Sequence, residues 1–246
     1  MAIIGFSSPD YLTLDMACAY LGLVSVPLQH NAPATTLAPP IIAETAPTVL
    51  AASADYLDLA LHVASGHDAL RHLVVFDYQP GLPRHRQALE QARRQLSRAA
   101  CTSTPSTPSS PTVPPTPHHR STPTAPPDRL AMILYTSGST GTPKGAMFTE
   151  DMLCRIWSSR GFAITDDPVI NLNFMPLNHL GGRMPILSAI QSGGTSYFVA
   201  EPDLSTLFDD LAQVRPTELA LVPRIVDMLY QHYLTTVDRL RADGLD

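Results

Sequence analysis

Cysteine is scarce. The 246 residues include three, Cys18, Cys101 and Cys154, an odd number set far apart and without any Cys-x-x-Cys spacing. That pattern excludes a disulfide framework and a zinc site of the ribbon or finger type, and it points to a cytoplasmic protein. Cys18 and Cys154 lie in apolar-periodic stretches, which predicts two buried thiols acting as small hydrophobes. Basic charge is also short: 16 Lys and Arg stand against 22 Asp and Glu, a formal net charge of -6. A nucleic-acid partner, which calls for a basic excess gathered on one face, is therefore not expected. No window approaches the roughly 20 apolar residues of a membrane span. The best attempt, Met16 to Leu28, contains Ser25 and Pro27. The N-terminal MAIIGFSSPD has no basic segment before its apolar stretch and does not read as a signal peptide.

Proline, by contrast, is plentiful and unevenly placed. Nine of the chain's 24 prolines fall between Thr102 and Pro127, where 21 of 26 residues are Pro, Ser or Thr. Such a segment buries too little apolar surface to offset the entropy of ordering itself, so it reads as a solvated linker or insertion. His118 and His119 inside it lack further ligands and are not read as a metal site. The chain thus divides into a first part over 1–101, the linker over 102–127 and a second part over 128–246.

Strands and helices alternate on both sides of the linker. Ala2–Phe6 reads as a buried strand, then Ser8-Pro9 as an N-cap with proline at the first helical position. Leu12, Met16, Ala19 and Tyr20 recur on one face of that helix, which Gly22 closes. Strands follow at Val24–Leu28, Thr48–Ala52 and Leu73–Tyr78, with helices at Thr36–Thr45, Tyr56–Ala64 and Arg84–Ala100. Beyond the linker, strands are expected at Leu130–Tyr135, Ala146–Thr149, Val169–Phe174, Thr195–Val199 and Glu218–Val222. Helices are expected at Gly181–Gln191, from an N-cap at Asp203 through Val214, and from Ile225 onward. This alternation implies an α/β fold with mostly parallel sheets covered by helices.

The chemistry is concentrated in Leu134-Tyr135-Thr136-Ser137-Gly138-Ser139-Thr140-Gly141-Thr142-Pro143-Lys144-Gly145. A strand runs into a loop with three glycines, four hydroxyls within five positions and one lysine. Glycines allow backbone N–H groups to face inward on an anion, hydroxyls add donors, and Lys144 supplies a mobile charge for phosphate oxygens. The glycine spacing and Pro143 rule out the common P-loop, and the apolar Ala146–Phe148 that follows places the loop between two strands. A hydrolase elbow is excluded because Gly-x-Ser-x-Gly is absent here. A second segment, Asn173-Phe174-Met175-Pro176-Leu177-Asn178-His179-Leu180-Gly181-Gly182-Arg183, places His179 at a strand-to-helix turn, where sites of α/β folds gather.

The first string strongly resembles the phosphate-binding signature of the acyl-adenylate-forming, AMP-binding superfamily. The resemblance implies ATP and a carboxylic acid reacting to acyl-AMP and pyrophosphate, with Mg²⁺ assisting. It assigns Thr136, Ser137, Gly138, Ser139, Thr140, Gly141, Lys144 and His179 to nucleotide binding, Lys144 and His179 also to catalysis, and no residue to a metal. His179 is placed at the incoming carboxylate or the forming acyl phosphate. The runs Gly193–Ala200, Asp203–Phe208, Val214–Leu219 and Val222-Pro223-Arg224, with Val24–Gln29 and Leu73–Tyr78, are similar to the adenylation domain of carboxylic acid reductases. Asn178 departs from the Ser expected before the histidine.

In that family the acyl group, fatty or aromatic, passes to a phosphopantetheine carrier domain, and an NADPH-dependent domain reduces the thioester to an aldehyde. The family's adenine and ribose motifs and its lid lysine are not found up to Asp246, so the chain is expected to be a fragment, inactive on its own. Two other readings stay open: a fragment of an acyl-CoA or peptide-synthetase ligase, and a non-catalytic remnant.

Overall fold

Ala2–Ile4 (β1) has no solvent exposure, and its alternating side chains feed two different cores. Ala2 and Ile4 join Leu50, Ala52, Leu73 and Val75 on one face of a sheet, while Ile3, Ala51 and Phe76 occupy the other. A computed structural model, describing residues 1–31, 34–96, 102–105, 128–136, 143–158 and 167–244, shows why both faces are apolar. Strands β2 (Val26–Pro27), β1, β3 (Val49–Ser53), β4 (His72–Phe76) and β5 (Thr102–Pro105) form one parallel sheet in that order. Helices α2 (Ala34–Thr45), α3 (Leu57–Ala64) and α4 (Pro83–Leu96) cover its first face through Ile42, Leu57 and Leu89. The expected linker at 102–127 contributes its first four residues to this sheet as β5; the rest of it lies outside the described residues. An edge position accommodates Pro105, since an edge strand can turn one row of backbone groups to solvent.

Helix α1 (Pro9–Leu21) begins as predicted: the Ser8 hydroxyl accepts the Tyr11 N–H at 3.0 Å, Pro9 opens the first turn, and Gly22 closes the helix at φ +69°. Its buried face is not the predicted one. Tyr11, Asp15 and Cys18 point inward while Tyr20 is exposed. A hydrophobic count cannot find that face, because a carboxylate stands at its centre.

The second part opens with an antiparallel hairpin of β6 (Leu130–Thr136) and β7 (Lys144–Thr149), followed by α5 (Glu150–Ser158). Helix α5 went unpredicted, although the Thr149 hydroxyl caps it by accepting the Met152 N–H, and Glu150 and Asp151 supply the acidic first turn. It carries Cys154 to the surface, correcting the expectation of a buried thiol; Cys18 is buried as expected, and Cys101 lies outside the described residues. A parallel β-α-β unit follows: β8 (Ile170–Asn173), α6 (Leu180–Gln191) and β9 (Thr195–Phe198). Helix α6 is sandwiched, with Ile186 packed into the second face of the first sheet. Leu172 and Phe174 instead meet α7 (Leu207–Val214) and α8 (Pro223–Ala242) through Leu207 and Ile225.

Two local expectations are corrected here. Asp203 caps no helix: it accepts the Ser205 N–H at 2.9 Å, and Leu204 at φ +65° breaks the chain direction before α7 starts. Glu218–Val222 shrinks from a strand to one parallel bridge between Glu218 and Asn171. Among the described residues, no helix is long and apolar enough to cross a membrane.

Ile186 is 0% exposed where α6 meets the first sheet, whereas Ile190, one turn on, is 50% exposed. Ile186→Ala is expected to lower unfolding stability by about 2–4 kcal/mol, and Ile190→Ala by well under about 1 kcal/mol, in urea denaturation.

Candidate active site

The predicted phosphate loop joins the two strands of the β6–β7 hairpin. Thr136 and Lys144 face each other in register at its mouth, and both are exposed. Ser137, Gly138, Ser139, Thr140 and Gly141 lie outside the described residues. The hairpin's base is held to the first sheet: Tyr135 joins the core beside α2, and its hydroxyl donates to Glu44 at 3.0 Å. Burial, reinforced by that carboxylate, pushes the Tyr135 phenol up to about 12. Gly145 is a matter of space rather than of turning, since a Cβ there would come within 2.7 Å of Ile133 and 3.0 Å of the Tyr135 ring.

His179 sits at the N-cap of α6 in extended backbone, with φ -121° and ψ 144°. Its N–H donates to the Pro176 carbonyl at 3.3 Å, and its own carbonyl accepts the Gly182 N–H at 3.1 Å. The imidazole makes no capping bond and is exposed beside the positive end of the helix dipole. The turn is pinned from the first sheet by the Ser7 hydroxyl, which donates to the Met175 carbonyl at 2.6 Å. Next to His179, Leu180 packs against an apolar cluster formed by Ala131, Met132 and Leu134 of β6 with Leu153 of α5. The histidine turn and the strand leading to Thr136 therefore share one apolar cluster.

Sequence reading missed His30. It follows β2, its ring lies edge-on to Phe6 at 5.5 Å and to Tyr56 at 5.3 Å, and its buried Nδ1 has no partner. Burial first, then the charge of His179, draws its pKa below the usual histidine value, so the two imidazoles share one neighbourhood. The available signal was its place after a parallel strand's carboxyl end, the usual address of α/β sites. Asn178 is also buried, and its Oδ1 has no partner either.

An open cleft lies where β1, β3 and β4 end, bounded by Phe6, Ser53, Asp77 and, from β9, Tyr197. Asp77 adopts φ +52°, and its N–H donates to Asp10 at 3.1 Å. Burial, with help from Asp10 and Asp55, raises its carboxyl to about 6 against the lowering hydrogen bonds from Ser8 and Ser53. Asp55 goes the other way: burial works to raise it, but hydrogen bonds from His85 and Arg84 hold it below the usual range. His85 is buried, accepts the Gln79 N–H on Nδ1 at 3.0 Å and so donates from Nε2 to Asp55, also at 3.0 Å.

The family model of AMP-binding enzymes matches residues 1–243. The chain belongs to the AMP-binding enzyme family. Within that family it is 47% identical over 250 residues to a carboxylic acid reductase of Mycobacterium tuberculosis, a match covering 100% of this chain and 21% of that protein. The adenylation domain of a carboxylate reductase from Mycobacterium chelonae superposes with a TM-score of 0.86 at 39% identity, over 97% of this chain and 37% of that one. The A domain of the Segniliparus rugosus carboxylic acid reductase, solved with AMP and a co-purified carboxylic acid, gives 0.83 at 40% identity, over 100% and 39%. The chain spans about a fifth of the length of the curated carboxylic acid reductases it matches. The expected α/β architecture of an adenylate-forming enzyme is therefore the observed one.

The turn at His179 depends on one of its two glycines. A Cβ on Gly182 would lie 2.2 Å from the Pro176 carbonyl oxygen, while one on Gly181 meets nothing within 4 Å. Gly182→Ala is expected to lower the melting temperature by several degrees, and Gly181→Ala to hold or raise it, since alanine is the better helix former by about 1 kcal/mol.

Asp77 gives a pH-dependent prediction. Its folded value of about 6 lies above the ordinary 3.8, so its stability contribution is full below pH 3.8 and is lost as pH rises through 6. Asp77→Asn, which tolerates the left-handed backbone, is expected to stabilise the protein at pH 7 by about 1 kcal/mol after solvent screening, with the gain vanishing near pH 4. Urea unfolding at the two pH values measures it.

Proposed function

We propose that this chain is part of the adenylation domain of a carboxylic acid reductase. The observation that carries the reading is the 0.86 superposition at 39% identity on such a domain over 97% of the chain. Relatives of the acyl-CoA synthetase type, such as a peroxisomal long chain acyl-CoA synthetase of Arabidopsis thaliana at 26% identity, stand further off.

In this reading a carboxylate oxygen of a fatty or aromatic acid attacks the α-phosphorus of ATP. The bond from that phosphorus to the pyrophosphate oxygen breaks, giving acyl-AMP and pyrophosphate. Thr136 and Lys144, facing each other across the hairpin mouth, hold phosphate oxygens together with Ser137, Gly138, Ser139, Thr140 and Gly141. His179, at the positive end of α6, orients the carboxylate and offsets charge developing between it and the phosphorus. Lys144 and the amino end of α6 suit an anionic guest, and the unpartnered His30 Nδ1, within electrostatic reach of His179, and Asn178 Oδ1, next to it in sequence, leave a donor or acceptor site open to a polar one. In this reading Mg²⁺ arrives with the nucleotide's phosphates and would neutralise their charge as the pyrophosphate leaves. In the whole protein a phosphopantetheine carrier and an NADPH-dependent reductase domain complete the sequence to the aldehyde.

The test is carboxylate-dependent ATP–pyrophosphate exchange by the full-length protein. Lys144→Ala and His179→Ala are each expected to reduce it roughly 100-fold. Wild-type rates in both variants would remove the site assignment, and wild-type protein without exchange would remove the reading itself.

A further inference from the structure

One buried carboxylate connects both arms of the site. Asp15 and Arg183 are each 6% exposed. Arg183 lies in α6 four residues beyond His179, and two of its guanidinium nitrogens reach the two carboxylate oxygens of Asp15 in α1, one of them at 3.3 Å. The Ser25 hydroxyl donates to the same carboxylate at 2.7 Å. Ser25 in turn pairs by its backbone with β6: its N–H donates to the Ala131 carbonyl, and its carbonyl accepts the Ile133 N–H, both at 2.9 Å. From Ile133 that strand runs to Thr136 at the mouth of the phosphate loop.

We propose that Asp15 and Arg183 are positioning residues that set the His179 turn against strand β6, and with it against Thr136 and Lys144 at the hairpin mouth. This rests on the adenylation reading above. Stability alone does not account for the pair. Buried ion pairs commonly break even with apolar side chains of the same volume. This one is also kept beside two buried polar atoms without partners, Arg183 Nε and the Tyr11 hydroxyl. A cation in the first turns of a helix moreover opposes the helix dipole, a cost that the Asp15 carboxylate offsets. What the pair supplies is a forked, fixed geometry that an apolar contact lacks. It acts on His179 through one turn of α6 and on Thr136 through Ser25 and β6.

The test uses the full-length protein and pyrophosphate exchange. Arg183→Lys and Asp15→Asn are expected to lower kcat at least 10-fold while KM for ATP moves less than about threefold, because orientation rather than binding is lost. In a His179→Ala background Arg183→Lys is expected to add less than a further twofold, since both act on one step. The volume-filling double variant Asp15→Leu/Arg183→Met is expected to restore the wild-type melting temperature without restoring kcat. Hydrogen exchange read in the same samples is expected to rise together at Ala131–Ile133 and Leu180–Arg183 in Asp15→Asn. Additive effects of Arg183→Lys and His179→Ala, or a stable apolar double variant with wild-type kcat, overturn this proposal and leave the adenylation reading intact. A wild-type protein without exchange overturns both.

Discussion

The Asp15–Arg183 contact joins helix α1, seated on the N-terminal sheet, to the helix that carries His179, and through Ser25 the same carboxylate reaches strand β6. Two titratable neighbours, Tyr11 and Cys18, stay neutral beside it. Burial raises the Tyr11 phenol far above its ordinary value and pushes the Cys18 thiol up to about 11, so neither competes for the guanidinium as an anion. Three donors meet at the carboxylate, two from Arg183 and one from Ser25. The desolvation this entails is met by hydrogen bonds rather than by apolar packing, which fixes direction as well as distance.

Apolar contacts complete what the ion pair orients. Ile186 and Leu177 enter the core formed by Ile3, Ala51 and Phe76, so α6 lies against the face of the first sheet that α2, α3 and α4 leave open. The same helix is the crossover of the β8–β9 unit, where buried Asn171 donates to the Pro185 carbonyl and accepts from the Ser196 hydroxyl. A proline inside a helix gives up one backbone donor. The Asn171 amide does not replace that donor; it binds the carbonyl of Pro185 and so ties the helix to the neighbouring strand.

Legibility in the sequence followed the range of the interactions. The α/β alternation, the Ser8-Pro9 start and Gly22 stop of α1, and the strand–loop–strand placement of the phosphate motif are local, and period and caps reveal them. His179 was legible because a turn between strand and helix is a local pattern. His30, the buried face of α1 and the Asp15–Arg183 pair were not. Each depends on residues up to 168 positions apart, and each places a polar group where hydropathy favours an apolar one. Glu218–Val222 failed for the opposite reason: its composition suits a strand, but backbone pairing stops after the bridge to Asn171.

The elements carrying the candidate site are weakly defined by their own sequences. Helix α6 opens on Leu180-Gly181-Gly182 and contains Pro185, with no acidic residue in its first turn and no side-chain cap. Strand β7 turns Lys144, Gly145, Ala146 and Met147 to solvent and is paired on one edge to β6. Low intrinsic propensity leaves the position of such elements to tertiary contacts. Helix α1 is the converse, closed at both ends by its own caps and seated on the parallel sheet through Tyr11 and Phe76 at 5.9 Å. A well-specified helix is thus tied, through one carboxylate, to two poorly specified elements. On the adenylation reading, that division leaves the histidine turn and the hairpin free to carry glycines and exposed polar groups, while their placement comes from a carboxylate buried away from both.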